Sequence, residues 1–326
     1  MSEITRTPRV LTGIDPRSWE HPADRAALNA LRRIPGFDEV LRKLFGFFGE
    51  RPLRLAFQAN AVQVTPTQFP RVHALYAQVR RTLDVQADYP VFVTQDPTYN
   101  AVAYGMEKPF ILVHSALVAR FDDDELRFIL GHELGHIMSG HSLYNTMMRL
   151  LVQLAGMGFP IVGLAARAIL VALMEWHRKA ELSCDRAGIL AVQAAEPGMQ
   201  AMLKFAGGDG GPQANMADFI RQADEYRESG DLADQVFKVL NVLGATHPFP
   251  VIRVAEMRSW FESGAYDRIL AGEYRRRGEA EPSYREDVAA AAQSYRESAR
   301  ETFGQAAEGA RRVVDSFRSG FNRGGS

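Results

Sequence analysis

The sequence predicts a mainly helical α+β protein with a small sheet placed just ahead of one central helix. Three observations predict it. Apolar residues recur at three- and four-residue spacing through most of the chain. Short β-like runs cluster between residues 90 and 114. A helix start follows directly, where Asp122 stands three residues before Glu125 in a capping-box pattern.

The bulk numbers bound the function. The chain has 326 residues, which allows about two domains. It is 46% hydrophobic and 24% charged, the balance of an ordinary globular protein. A net charge of −1 gives no reason to expect nucleic acid as a partner. The one cysteine, Cys184, forms no intrachain disulfide, excludes a cysteine-rich zinc finger and fits a cytoplasmic compartment. Residues 1–19 are polar and lack an apolar signal core, so no secretory signal peptide is expected.

Taken in order, residues 1–20 read as a loose lead-in. Residues 21–33 and 37–48 read as two amphipathic helices divided by Pro35-Gly36. Residues 53–65 partly alternate and are expected to form a strand. Residues 69–83 read as a helix with Val72, Leu75, Tyr76 and Val79 on one side. Strands are expected at 90–94, 100–104 and 109–114, the last two joined by Gly105-Met106-Glu107-Lys108. The strand carrying Asn100, Ala101, Val102 and Ala103 is well placed to hold an extended peptide by backbone hydrogen bonds.

Residues 150–174 are the most apolar stretch. A membrane span is disfavoured by topology, because one crossing would separate the residues gathered below into a single site. The Gly156–Pro160 break suggests an apolar helical hairpin over 143–176, buried or partner-facing. The domain reading is an N-terminal helical and β segment (1–88) packed on a catalytic domain (89–277), followed by an Ala-, Arg- and Glu-rich tail (278–326). That tail has a thin apolar stripe weakened by Gly304 and Gly309.

The chemistry centres on His132-Glu133-Leu134-Gly135-His136. On a helix this H-E-x-x-H spacing projects two imidazoles from one face, one turn apart, as zinc chelation requires. Glu133 lies beside them, placed to take a proton from a metal-bound water. A catalytic zinc needs a third protein ligand. His141 would lie about 140° around a continued helix from His136, at about 100° per residue, so a supporting or surface position is expected for it. Glu181, four residues before Asp185, fits better: Glu181 would bind the metal and Asp185 would accept the free N–H of a ligating histidine. Glu175 competes but has Lys179 where that acid should be.

With these motifs in place the chain resembles the M48 family of zinc metallopeptidases, which includes the HtpX-like and Ste24-like proteases. The matching stretches are Asn100-Ala101-Val102-Ala103-Tyr104, the run from Asp123 through His136, the run from Glu181 to Asp185, and Thr246-His247-Pro248 with Arg253 downstream. The resemblance implies a gluzincin-like domain, one Zn²⁺ held by His132, His136 and Glu181, and Glu133 as general base. It further implies His247 as a stabiliser of the transition state and Arg253 as a partner of the site. The expected function is endopeptidase cleavage of extended or unfolded polypeptides. The alternative is a non-hydrolytic, zinc-bearing interaction protein that binds partners or a membrane surface through 150–174 or the tail. Oligomeric state is not legible.

Overall fold

The central sheet owes its order to where the chain can return. In the computed structural model, strands β1 (Ala61–Gln63), β2 (Val91–Thr94), β3 (Ala101–Tyr104) and β4 (Phe110–His114) lie in the order β1-β2-β4-β3. β1 runs antiparallel to β2, β2 parallel to β4, and β3 antiparallel to β4 with Ala101 opposite Val113. Among the described residues β3 is therefore an edge strand of the sheet. The structure describes residues 8–34, 36–105, 107–156, 163–209, 213–228 and 248–279. His247 and the tail beyond residue 279 lie outside them.

Helices surround the sheet: α1 (Pro22–Arg32), α2 (Phe37–Phe48), α3 (Glu50–Asn60), α4 (Pro70–Thr82), α5 (Ser115–Arg120), α6 (Asp123–Met138), α7 (Ser142–Gly156), α8 (Gly163–Val192), α9 (Glu196–Gly207), α10 (Met216–Glu228), α11 (Pro250–Glu262) and α12 (Ala265–Ala271). The capping box of α6 is complete. Asp122 accepts from the Glu125 N–H, and Glu125 accepts from the Asp122 N–H, each at 2.8 Å.

Two expectations need correction. The run 53–65 is helical as far as Asn60 and only three residues of it form β1. Pro52 falls in the first turn of α3, where its missing N–H costs nothing. Phe57 then packs on the sheet face against Tyr104 and Phe110, with ring centroids 4.9 and 5.5 Å away. Tertiary packing overrides an alternating pattern here. Second, residues 8–20 are no loose lead-in. Leu11, Ile14 and Trp19 are fully buried, Leu11 N–H donates to Thr82 O, and Ile14 bridges Arg276. Their anchors lie far away in sequence, and their spacing has no period to read.

The site sits between α6 and α8. Gly131 and Gly135 let α6 approach α8 closely: a Cβ on Gly135 would lie 2.6 Å from the Ala187 Cβ. α8 is long, about 45 Å at 1.5 Å per residue. Its first half and α7 bury a second core of Met147, Met148, Leu151, Ile169, Leu173 and Trp176 against Leu31 of α1 and Phe37 and Leu44 of α2. Val152 and Val171 face outward. Among the described residues no helix is long and apolar enough to cross a membrane.

Candidate metal centre

Consecutive turns of α6 bring His132 and His136 to one face, and consecutive turns of α8 present His177, Glu181 and Asp185 to them. His132, Glu133, His136, Glu181 and Asp185 are each at most 5% exposed. The Nε2 atoms of His132 and His136 lie 3.2 Å apart. Glu181 Oε1 is 3.1 Å from His136 Nε2, and Glu181 Oε2 is 3.6 Å from His132 Nε2. Atoms sharing a tetrahedral zinc at about 2.0–2.2 Å stand about 3.3–3.5 Å apart, so this trio fits such an ion.

The opposite ring nitrogens are also held. His132 Nδ1 is 3.0 Å from Asp185 Oδ1. Arg253, on α11, donates to both Asp185 oxygens, from Nε at 2.8 Å and from Nη2. Its Nη1 is 3.5 Å from Glu181 Oε2. Burial works against an ionised Asp185, but the Arg253 charge and hydrogen bonds outweigh it and hold the carboxyl below its usual range. Burial likewise opposes a charged His132, yet Glu181 and Asp185 raise its pKa to about 10.

His136 Nδ1 lies 3.2 Å from His141 Nδ1 and 3.4 Å from the Asn145 amide. His141 reaches this position because α6 stops. Gly140 adopts φ +70°, His141 N–H donates to His136 O, and Gly140 N–H donates to Ile137 O. This Schellman turn folds His141 back under the helix it has just left. His141 Nε2 is 3.3 Å from Asp24 Oδ2 on α1. Asp24 also accepts from Trp176 Nε1 at 2.9 Å and Ser183 Oγ at 2.6 Å. Burial is the largest influence on His141 and opposes its charge, but Asp24 prevails and raises its pKa. Cys184 Sγ is 3.6 Å from His141 Nδ1, and burial pushes that thiol well above its usual range.

Glu133 faces a cavity of about 610 Å³. Burial pushes its carboxyl up to about 7, with the Ala103 N–H and the His132 and Arg149 charges opposing. Asn100, residues 101–103 of β3, Phe205 of α9, Phe249 and Arg149 also line the cavity. The structure thus brings together Asn100, Ala101, Val102, Ala103, His132, Glu133, His136, Glu181, Asp185 and Arg253. Glu175 stays outside, half-exposed and paired with Arg178 and Lys179. Gly105 begins the turn before β4 and donates its N–H to Thr146 Oγ1.

Sequence reading missed Asp24, Asn145, Arg149 and His177. His177 lies one turn before Glu181, and its Nδ1 is 2.9 Å from Asn145 Oδ1. Its signal was the four-residue step that also links Glu181 to Asp185. His141, Asn145 and Arg149 repeat that step from the residue before α7 to its middle. Asp24 had no signal, since only the packing of α1 on α8 brings it in.

Residues 66–261 match the profile of peptidase family M48. The chain is 31% identical over 269 residues to a chloroplastic plastoglobule-localized metallopeptidase 48 of Arabidopsis thaliana, covering 81% of this chain and 78% of that protein. A 56-residue stretch is 41% identical to the metalloprotease YcaL of Escherichia coli (strain K12), covering 17% of this chain and 20% of that one. No solved structure matches at a significant level. A buried trio of side chains able to hold a metal ion, beside Glu133, thus sits inside the matched region, and the chain is a metalloprotease belonging to peptidase family M48.

Proposed function

We propose that the protein is a zinc-dependent endopeptidase acting on extended or unfolded polypeptides, with one ion per chain held by His132, His136 and Glu181. The observation that supports it most is the convergence of Nε2 of His132, Nε2 of His136 and the Glu181 carboxylate beside Glu133. When bound, zinc supplies Lewis-acid polarisation of the scissile carbonyl and a lowered pKa for its water.

The rest falls to the chain. The outer edge of β3 holds the peptide extended through backbone hydrogen bonds. Glu133 takes a proton from the attacking water and returns it to the leaving amine; a carboxyl near pH 7 suits both transfers. Asp185, braced by Arg253, accepts the His132 Nδ1–H and so keeps the Nε2 lone pair directed at the metal. His141 does the same for His136. In its neutral form, with the Nε2 proton directed to Asp24, His141 accepts the His136 Nδ1–H at Nδ1. By the family resemblance, His247, outside the described residues and one before cavity-lining Pro248, is the N–H donor to the oxyanion in this reading.

The test is cleavage of casein by zinc-loaded wild type beside Glu133→Gln, with zinc content measured in both. Cleavage by the wild type that disappears in a zinc-retaining variant supports the reading. Equal cleavage by both, or none by a fully zinc-loaded wild type, overturns it. Membrane contact through 150–174 is a lesser part of the proposal, resting on outward-facing Val152 and Val171. Liposome flotation that is unchanged in Val171→Glu, or absent in the wild type, removes it.

A further inference from the structure

Arg149 is a cation of the cavity for which the described residues supply no salt-bridge partner. It lies on α7, two turns beyond His141, and lines the same space as Glu133 and the metal-binding trio. Its Nε is buried and makes no hydrogen bond. Among the described residues no carboxylate pairs with its guanidinium, whereas Arg253, the other arginine of the cavity, is engaged by Asp185 and Glu181. Arg149 is half-buried with its Nε enclosed, and the forked N–H edge of a guanidinium suits a carboxylate.

Its placement says where that acceptor belongs. The guanidinium carbon lies 5.7 Å from the ring centroid of Tyr104, the last residue of β3. Stacking on a ring face leaves the N–H groups free in the guanidinium plane. The Arg149 charge is also felt at Glu133, whose neighbour across the gap is the Ala103 N–H. A peptide laid along the outer edge of β3 advances about 3.3 Å per residue. A group that meets Arg149 near Tyr104 therefore sits within about two residues of the bond that Glu133 serves.

We propose that Arg149 forms an anion subsite of the cleft and that the enzyme selects substrates carrying a carboxylate within about two residues of the scissile bond. This rests on the endopeptidase reading above and adds to it a substrate class: peptides with an acidic side chain at that place, or with their own C-terminal carboxylate there. Both sources present the same planar, bidentate acceptor.

The experiment uses one quenched fluorogenic peptide in which a single Glu, Gln or Lys is walked across three positions on each side of the cleaved bond. A second pair ends two residues beyond that bond, as free acid or as amide. In the wild type, one position or the free acid should favour the anionic member by about tenfold or more in kcat/KM. Arg149→Gln should equalise that pair, and Arg149→Glu should turn the preference toward Lys. Each comparison is a ratio within one preparation, so partial unfolding of a variant cancels. Equal cleavage at every position by the wild type, or a preference that survives in Arg149→Gln, overturns the proposal. Binding of the same peptides to zinc-loaded Glu133→Gln, followed by fluorescence anisotropy, separates the two readings. About tenfold tighter binding of the anionic peptide supports the subsite even if no peptide is cleaved, and equal binding removes it.

Discussion

Asp24 Oδ2 accepts from His141 Nε2 at 3.3 Å, and this contact ties the N-terminal helix α1 to the face of α6 that carries His132 and His136. Asp24 lies outside the stretch that matches the family profile, residues 66–261. If the pair fixes the tautomer of His136, then Asp24→Asn and His141→Ala should each weaken metal affinity by about 10–100-fold. Competition with a chromophoric chelator measures this. Wild-type affinity in both variants would mean that α1 only packs against the centre.

Arg253 plays the matching part for His132, with a harsher consequence if lost. Removing it strands the buried Asp185 carboxylate, which is 1% exposed. Loss of one partner of a buried pair costs about 3–5 kcal/mol, so Arg253→Met should lower the melting temperature sharply and weaken metal binding. Arg253→Lys restores the charge but not the two-pronged contact from Nε and Nη2. It should recover most of the stability and little of the affinity. Full recovery of both would show that charge alone suffices.

Gly135 sets how closely α6, with His132 and His136, approaches α8, with Glu181. Its added Cβ would meet the Ala187 Cβ at 2.6 Å, and Cys184 lies 3.6 Å away. Gly135→Ala should cost about 1–3 kcal/mol through overpacking and should loosen metal binding by pushing Glu181 on α8 away from His132 and His136. The double variant Gly135→Ala with Ala187→Gly vacates the clashing methyl and should restore both. Additive losses in that double-mutant cycle would locate the cost elsewhere.

What the sequence revealed and what it hid divide along local and distant determinants. The Asp122–Glu125 cap, the stripe of α6 and the four-residue steps His132–His136 and Glu181–Asp185 are encoded within one or two turns, and all are legible. His141 was harder. Extending α6 by about 100° per residue turns it away from His136, but the helix ends and Gly140 reverses the chain. The alternation of Leu53, Leu55 and Phe57 suggested a strand, because the reason for a helix is Phe57 packing on Tyr104 and Phe110 from another part of the chain. Leu11, Ile14 and Trp19 are core residues without any period, fixed by backbone bonds to Thr82, Arg275 and Arg276. Asp24 reads as a first-turn helix acid, and only the packing of α1 on α8 makes it a partner of the site.

The start of α1 should make stability fall in mild acid. His21 caps the helix, its Nδ1 accepting the Ala23 N–H at 3.1 Å. Burial, then the Arg186 and Lys179 charges, lower its pKa from 6.5 to about 3. The folded value lies below the unfolded one, so the unfolded chain binds the proton first. The stabilisation is complete above pH 6.5 and drains away as pH falls toward 3. At about 1.4 kcal/mol per pH unit, going from pH 7.5 to 5.5 removes about 1.4 kcal/mol through this group alone. His21→Asn keeps a good cap that does not titrate. Urea unfolding at the two pH values should therefore show a loss smaller by about that amount in the variant. An equal loss in both proteins would mean that the His21 ring already charges freely in the folded state, and that the cap does not depend on its Nδ1 lone pair.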